Sequence, residues 1–254
     1  MGRVTLMLAA MTLALLLASG VALAVTKIGT DGPDTLRGTN KSDNLLGKGG
    51  NDILYALAGN DKLLGGEGKD WVLGGNERVP KGGDKNLLGG PGNDGVNGGL
   101  GSDTVLGGSG NDFVHGDNGS DRAVAGEGGK DFVDGARGAD RMLGGEGGDW
   151  LVEGPIRESW KDIVSGGGGD DILIVDHVPA VKDIVSCGTG FDRVIADRKD
   201  LVAPDCERVR VVHGSLGEVF EQEEAFIRSL PPGVRRFFFT FFEEQLAPDP
   251  TAGG

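Results

Sequence analysis

The sequence predicts an all-β solenoid, a stack of short strands and tight glycine turns followed by a short helical tail. Three observations predict it. Residues 89–115 read GGPGNDGVN, GGLGSDTVL and GGSGNDFVH, three nine-residue units with Gly at positions 1, 2 and 4 and Asp at position 6. Position 8 usually holds a bulky apolar residue, and nearly everything from Gly29 to Ile195 can be laid on the same template. Composition agrees: 49 of 254 residues are Gly and only six per cent are aromatic, too much glycine for an ordinary core, while 10 Pro are too few for a collagen-like chain.

Residues 1–24 differ from the rest. Arg3 supplies a positive start, Val4 to Leu17 an apolar run, and Ala22-Leu23-Ala24 a small-residue cleavage site. That order reads as a secretory signal peptide, because the apolar run is short for a membrane span. No later segment is apolar enough to span a bilayer, so no membrane partner is expected once the leader is removed.

The roll is expected over residues 25–195. The template Asp recurs at Asp34, Asp43, Asp52, Asp61, Asp70, Asp84, Asp94, Asp103, Asp112, Asp121, Asp131, Asp140, Asp149, Asp162, Asp171, Asp183 and Asp192. Steps one residue too long, at Asp84 to Asp94 and Asp121 to Asp131, are of a size that a bulge absorbs. Position 8 holds Leu36, Leu45, Leu54, Leu63, Val72, Val96, Val105, Val114, Val133, Met142, Leu151, Val164, Leu173, Val185 and Val194. On this phase Ala123 is a weak member and Asn86 breaks the rule. One apolar residue per unit makes no core alone; stacked units do, as in any solenoid. Glycine makes the turn, because it alone takes positive φ without penalty. The next three residues make a strand with the middle side chain inward.

The units around Asp162 and Asp183 keep the strand but lose the turn glycines and read as structural. Asp61 also lacks leading glycines, following Ala56-Leu57-Ala58-Gly59. Cys187 and Cys206 are the two cysteines, and an even count in an exported chain predicts one disulfide. It would pin a cap segment, residues 196–216, over the last rung, whose strand edge needs covering. Residues 217–254 read as a helical tail, broken at Pro231-Pro232-Gly233, with Phe237, Phe238, Phe239, Phe241 and Phe242 crowded together. Those phenylalanines either cap the roll or meet a membrane or another protein.

Gly98-Gly99-Leu100-Gly101-Ser102-Asp103-Thr104-Val105-Leu106 matches G-G-x-G-x-D-x-(large apolar)-x at every specified position. In this the chain resembles the haemolysin-type, or repeats-in-toxin (RTX), calcium-binding family. The resemblance implies a right-handed parallel β-roll with two repeats per turn, and Ca2+ ions held between repeats n and n+2. The implied ligands are the carboxylates of Asp34, Asp43, Asp52, Asp61, Asp70, Asp94, Asp103, Asp112, Asp121, Asp131, Asp140, Asp149 and Asp171. Backbone carbonyls of turns such as those with Gly89, Gly92, Gly98, Gly101, Gly107 and Gly110 would complete the sites. Asp94 would pair with Asp112, Asp103 with Asp121, and Asp112 with Asp131. Stacked carboxylates roughly 5 Å apart repel by about 1 kcal/mol in water and several times more at lower dielectric. The expectation is a roll that is largely disordered without calcium and folds on binding it.

The formal net charge of -14 excludes a nucleic-acid partner, since phosphate contacts need basic residues. Two repeats per turn put Phe113, Phe132 and Trp150 in one outward row at position 7, and Arg122 with Arg141 in the opposite row. Such rows serve as side-chain ladders; the aromatic one could instead dock a cell-surface glycan or a protein partner. Catalytic constellations are absent from the sequence. His115, His177 and His213 lie far apart, no H-E-x-x-H occurs, and His213-Gly-Ser-Leu-Gly217 lacks the first Gly of a nucleophile elbow. Enzyme activity is not expected.

Overall fold

A computed structural model describes residues 23–75, 85–154, 160–177 and 180–212. The leader up to residue 22, Asp84 and the Phe-rich tail lie outside the described residues. The chain divides into two compact units, Met1–Val211 and Val212–Gly254, and the fold that follows is that of the first.

Each nine-residue unit contributes one strand, and successive strands alternate between two parallel ten-stranded sheets. Sheet I stacks Thr26–Ile28, Asn44–Gly49, Lys62–Glu67, Asn86–Pro91, Thr104–Ser109, Ala123–Gly128, Arg141–Glu146, Ile163–Gly168, Ile184–Thr189 and Leu201–Val202. Sheet II stacks Thr35–Arg37, Ile53–Tyr55, Trp71–Leu73, Gly95–Leu100, Phe113–Asn118, Phe132–Asp134, Trp150–Val152, Ile172–Val175, Arg193–Asp197 and Arg208–Val212. The parallel β-roll with two repeats per turn is therefore the fold. Among the described residues, no helix is long and apolar enough to cross a membrane.

The core is the position-8 column. Leu54, Val72, Val105, Val114, Val133, Met142, Leu151 and Leu173 are fully buried, each stacked on its equivalent one turn away. Each turn is narrow enough that glycine is required for two separate reasons. In the unit beginning at Gly107, Gly108 and Gly110 take φ of 119° and 132°, in the left-handed region. A Cβ on Gly110 would also lie 1.5 Å from the carbonyl oxygen of Gly92 in the turn below.

Two expectations of phase are corrected. Leu87, not Asn86, faces the core: it pairs with Leu63 and Val105 and is 1% exposed. Position 6 of that unit is accordingly Lys85, whose backbone N–H donates to Asp103 Oδ1 as an aspartate's would. Likewise Val124, not Ala123, fills the apolar slot of its unit. The Arg122 N–H donates to the Asp103 carbonyl and Ala123 pairs with Thr104, so an extra residue is absorbed just after Asp121 as a bulge.

The roll continues past residue 195. Leu201–Val202 pairs with Ile184–Val185, and Arg208–Val212 lies beside Arg193–Asp197. The expected disulfide is present, joining Cys187 in the penultimate turn of sheet I to Cys206.

Candidate metal centre

The aspartates of position 6 form two columns, one along each sheet. In the column of sheet II, the backbone N–H of Asp34 donates to Asp52 Oδ1, Asp52 to Asp70, Asp70 to Asp94, Asp94 to Asp112, Asp112 to Asp131, Asp131 to Asp149, Asp149 to Asp171, and Asp171 to Asp192. In sheet I, Asp43 donates to Asp61, Asp103 to Asp121, Asp121 to Asp140, Asp140 to Asp162, and Asp162 to Asp183. The predicted pairs between repeats n and n+2 are thus brought together. One oxygen of each carboxylate is a rung of the fold itself.

The other oxygen has a different environment. Oδ2 of Asp52, Asp61, Asp70, Asp94, Asp112, Asp121, Asp131, Asp149, Asp171, Asp183 and Asp192 is buried and receives no hydrogen bond. A buried acceptor left this way costs roughly 1–3 kcal/mol, and more if charged. Such a row calls for a ligand.

The space beside these oxygens has a defined lining. At Gly107 a Cβ would lie 2.5 Å from Asp112 Oδ2 and 2.9 Å from the Gly126 carbonyl oxygen. At Gly144 the corresponding atoms are Asp149 Oδ2, 2.6 Å, and the Gly166 carbonyl, 2.3 Å. Gly89 and Gly98 face Asp94 and Asp103 in the same way, with the carbonyls of Gly107 and Gly116. Position 1 is glycine here not for its φ, but because a carboxylate and a carbonyl from the next turn converge where a side chain would go. Gly92 and Gly101, at position 4, are instead turn residues with φ of 153° and 135°.

Electrostatics point the same way. Burial pushes the carboxyls of Asp112, Asp121 and Asp171 up to about 7, and those of Asp61, Asp94 and Asp131 to about 6. Neighbouring aspartates add to the effect; Asp131 and Asp94 both act on Asp112. Asp34 and Asp43, in the first turns, differ. Asp34 Oδ2 accepts hydrogen bonds from the Thr30 N–H and hydroxyl, which hold its carboxyl below the usual range. Asp43 Oδ2 accepts hydrogen bonds from the Thr39 N–H and hydroxyl.

An all-oxygen donor set of paired carboxylates and turn carbonyls suits Ca2+, which takes 6–8 oxygens at about 2.3–2.6 Å. The residues that would hold it are the paired position-6 aspartates and the position-1 glycine carbonyls.

Three features lay outside the reach of sequence. Lys85 takes an aspartate's place in sheet I; it is 2% exposed and its ammonium donates to the Leu100 carbonyl, a tethered cation within the acidic column. The signal was present as a lysine beside Asp84, one residue off the assumed phase. Glu153 and His177 converge on Asp162, in a unit that looked only structural. Asp183, Asp197 and Asp200 also cluster, but there Asp200 accepts from the Asp183 and Asp197 N–H groups, and Asp197 from Val181 and Lys199.

In the position-7 row, Phe113 and Phe132 stack with ring centroids 5.4 Å apart, and Trp150 is next in register. Trp71 belongs to the same row and lies over Gly95, where a Cβ would meet its ring at 2.7 Å.

No curated protein matches the chain. The RTX calcium-binding nonapeptide repeat matches it at residues 28–63, 46–77, 88–123, 124–151 and 161–176, which takes in the aspartate columns from Asp34 to Asp171. The chain belongs to the RTX calcium-binding nonapeptide-repeat family, and its cofactor is calcium, in several copies.

Proposed function

We propose that the chain is a secreted, non-enzymatic calcium-binding roll, a structural or surface-associated module whose turns fold as they load with calcium. The observation that carries this reading is the row of buried Oδ2 atoms without hydrogen bonds, of which those of Asp52, Asp70, Asp94, Asp112, Asp121 and Asp149 lie beside a glycine carbonyl of the next turn. Calcium supplies positive charge and an appetite for oxygen ligands. The chain supplies the rest: Oδ1 locks each turn to its neighbour, while Oδ2 and the carbonyl converge on the space between. Without a cation, burial and like charge oppose the stack. Export is supported by the leader, Arg3 with Val4–Leu17 and Ala22-Leu23-Ala24, and by the disulfide, which suits an oxidising compartment. Extracellular calcium is high enough that affinities of about 10⁻⁴–10⁻³ M suffice.

Calorimetric titration of the chelator-treated full chain tests the reading. Several calcium ions per chain are expected, with a large heat of coupled folding. A single site, or none, contradicts it. The alternative, an adhesin or glycan-binding module using Phe113, Phe132 and Trp150, draws on the shared row. The stacked rings of Phe113 and Phe132 turn faces on each other, which favours the ladder.

A further inference from the structure

We propose that Glu153, Asp162 and His177 form a binding site for a first-row transition metal of the zinc class, at the point in the sheet I column where Glu153 replaces the position-1 glycine. Position 1 points a side chain at the aspartate that follows it, as Gly144 would toward Asp149 Oδ2 at 2.6 Å. Glu153 takes position 1 in the next unit, so its carboxylate is led to Asp162 and fills the space that glycine leaves open elsewhere. His177 follows the strand Ile172–Val175 and reaches the same point. One ligand atom from each of the three lies within 4.8 Å of the others.

Glu153 and His177 are each 3% exposed. Neither Glu153 oxygen, nor His177 Nδ1, nor Oδ2 of adjacent Asp183 makes a well-directed hydrogen bond. Nδ1 nevertheless lies 3.1 Å from Glu153 Oε2 and 3.5 Å from Asp183 Oδ2, ion-pair contacts that hold the ring between two carboxylates without well-directed hydrogen bonds. Those separations bracket the edge, roughly 3.3 Å, of a tetrahedron with metal–ligand bonds near 2.0–2.1 Å. Imidazole nitrogen is a ligand for zinc and its neighbours, whereas calcium selects oxygen. Three carboxyl groups around one imidazole also supply the negative charge that a dication needs.

The test loads the full chain with calcium first, then titrates zinc chloride by calorimetry while following ¹⁵N resonances of the histidine rings. One zinc per chain is expected, with the His177 ring nitrogens shifting and those of His115 unmoved. His177→Ala and Glu153→Gln should each weaken zinc by at least about 100-fold, since lost outer-shell contacts alone cost metal sites roughly 10–100-fold, with calcium stoichiometry unchanged. The proposal is overturned by the absence of a saturable zinc step in the calcium-loaded wild type. It is equally overturned by a zinc step that leaves the His177 resonances in place, a result independent of whether either variant folds. Because calcium is bound beforehand, failure here leaves the calcium reading standing.

Discussion

The middle of the roll and its last turns share one backbone plan but solve the same electrostatic problem differently. From Gly89 to Gly144, position 1 is glycine, and at Gly89, Gly107, Gly116 and Gly144 a carboxylate oxygen and a carbonyl of the next turn converge where a side chain would go. From residue 153 onward glycine remains only at Gly166, and the position otherwise holds Glu153, Val175, Cys187 and Ala196, all at most 3% exposed. At those four positions a side chain stands where glycine stands elsewhere, and the Cys187–Cys206 disulfide ties the end down. Stability in the middle is therefore conditional on a cation, while at the end much of it is built into the chain.

Removing calcium should break this comparison most visibly. Hydrogen exchange after chelation is expected to rise steeply across 86–149, with the smallest change in the disulfide-closed loop 187–206. Uniform exchange across both regions would erase the distinction. Acidity should act next, and with a definite sign. Burial raises Asp112, Asp121 and Asp171 from 3.8 to about 7 in the folded chain. Between those values the folded state binds more protons than the unfolded, so the calcium-free roll keeps this contribution below pH 3.8 and loses it as pH rises through 7. Its melting temperature should be higher at pH 5 than at pH 8, whereas with saturating calcium the advantage of acid should vanish, since protons compete with the ion.

Single substitutions sharpen the contrast. Reducing the disulfide, or Cys206→Ser, should cost about 3 kcal/mol whether or not calcium is present. Gly107→Ala places a methyl 2.5 Å from Asp112 Oδ2. It should cost about 1–3 kcal/mol in the calcium-loaded state and remove an ion from the calorimetric stoichiometry. Asp112→Asn keeps the Oδ1 acceptor for Asp94 but deletes one charge. It should weaken calcium binding while stabilising the calcium-free chain by about 1 kcal/mol, as repulsion from Asp94 and Asp131 is relieved. Ala196→Gly, at position 1 of a late turn, should change stability by about 0.5–1 kcal/mol and calcium stoichiometry not at all.

Much of this was legible in the sequence because a strict period couples turn, ligand and core in every unit. Asp94, Asp112 and Asp131 could be paired because the resemblance to the RTX family supplies two repeats per turn, and with it the step. Phase failed where two readings fit locally. Asp84-Lys85-Asn86-Leu87-Leu88 offers two adjacent frames, and only packing of Leu87 between Leu63 and Val105 chooses one. At Arg122-Ala123-Val124 the extra residue enters before the core position rather than after it, which local pattern cannot decide. The Glu153–His177 convergence was hidden for another reason. It is made by residues two strands apart that depart from the repeat, so the period that revealed the aspartates is silent about them. That Asp34 and Asp43 are held by Thr30 and Thr39 is a matter of side-chain direction, equally outside a periodic pattern.

The central claim is that the aspartate columns need calcium in order to fold. Far-UV circular dichroism of the full chain, recorded with saturating calcium and again after excess chelator, tests it most directly. A large, reversible loss of β signal on chelation, restored by added calcium, is the predicted result. An unchanged spectrum would contradict the account.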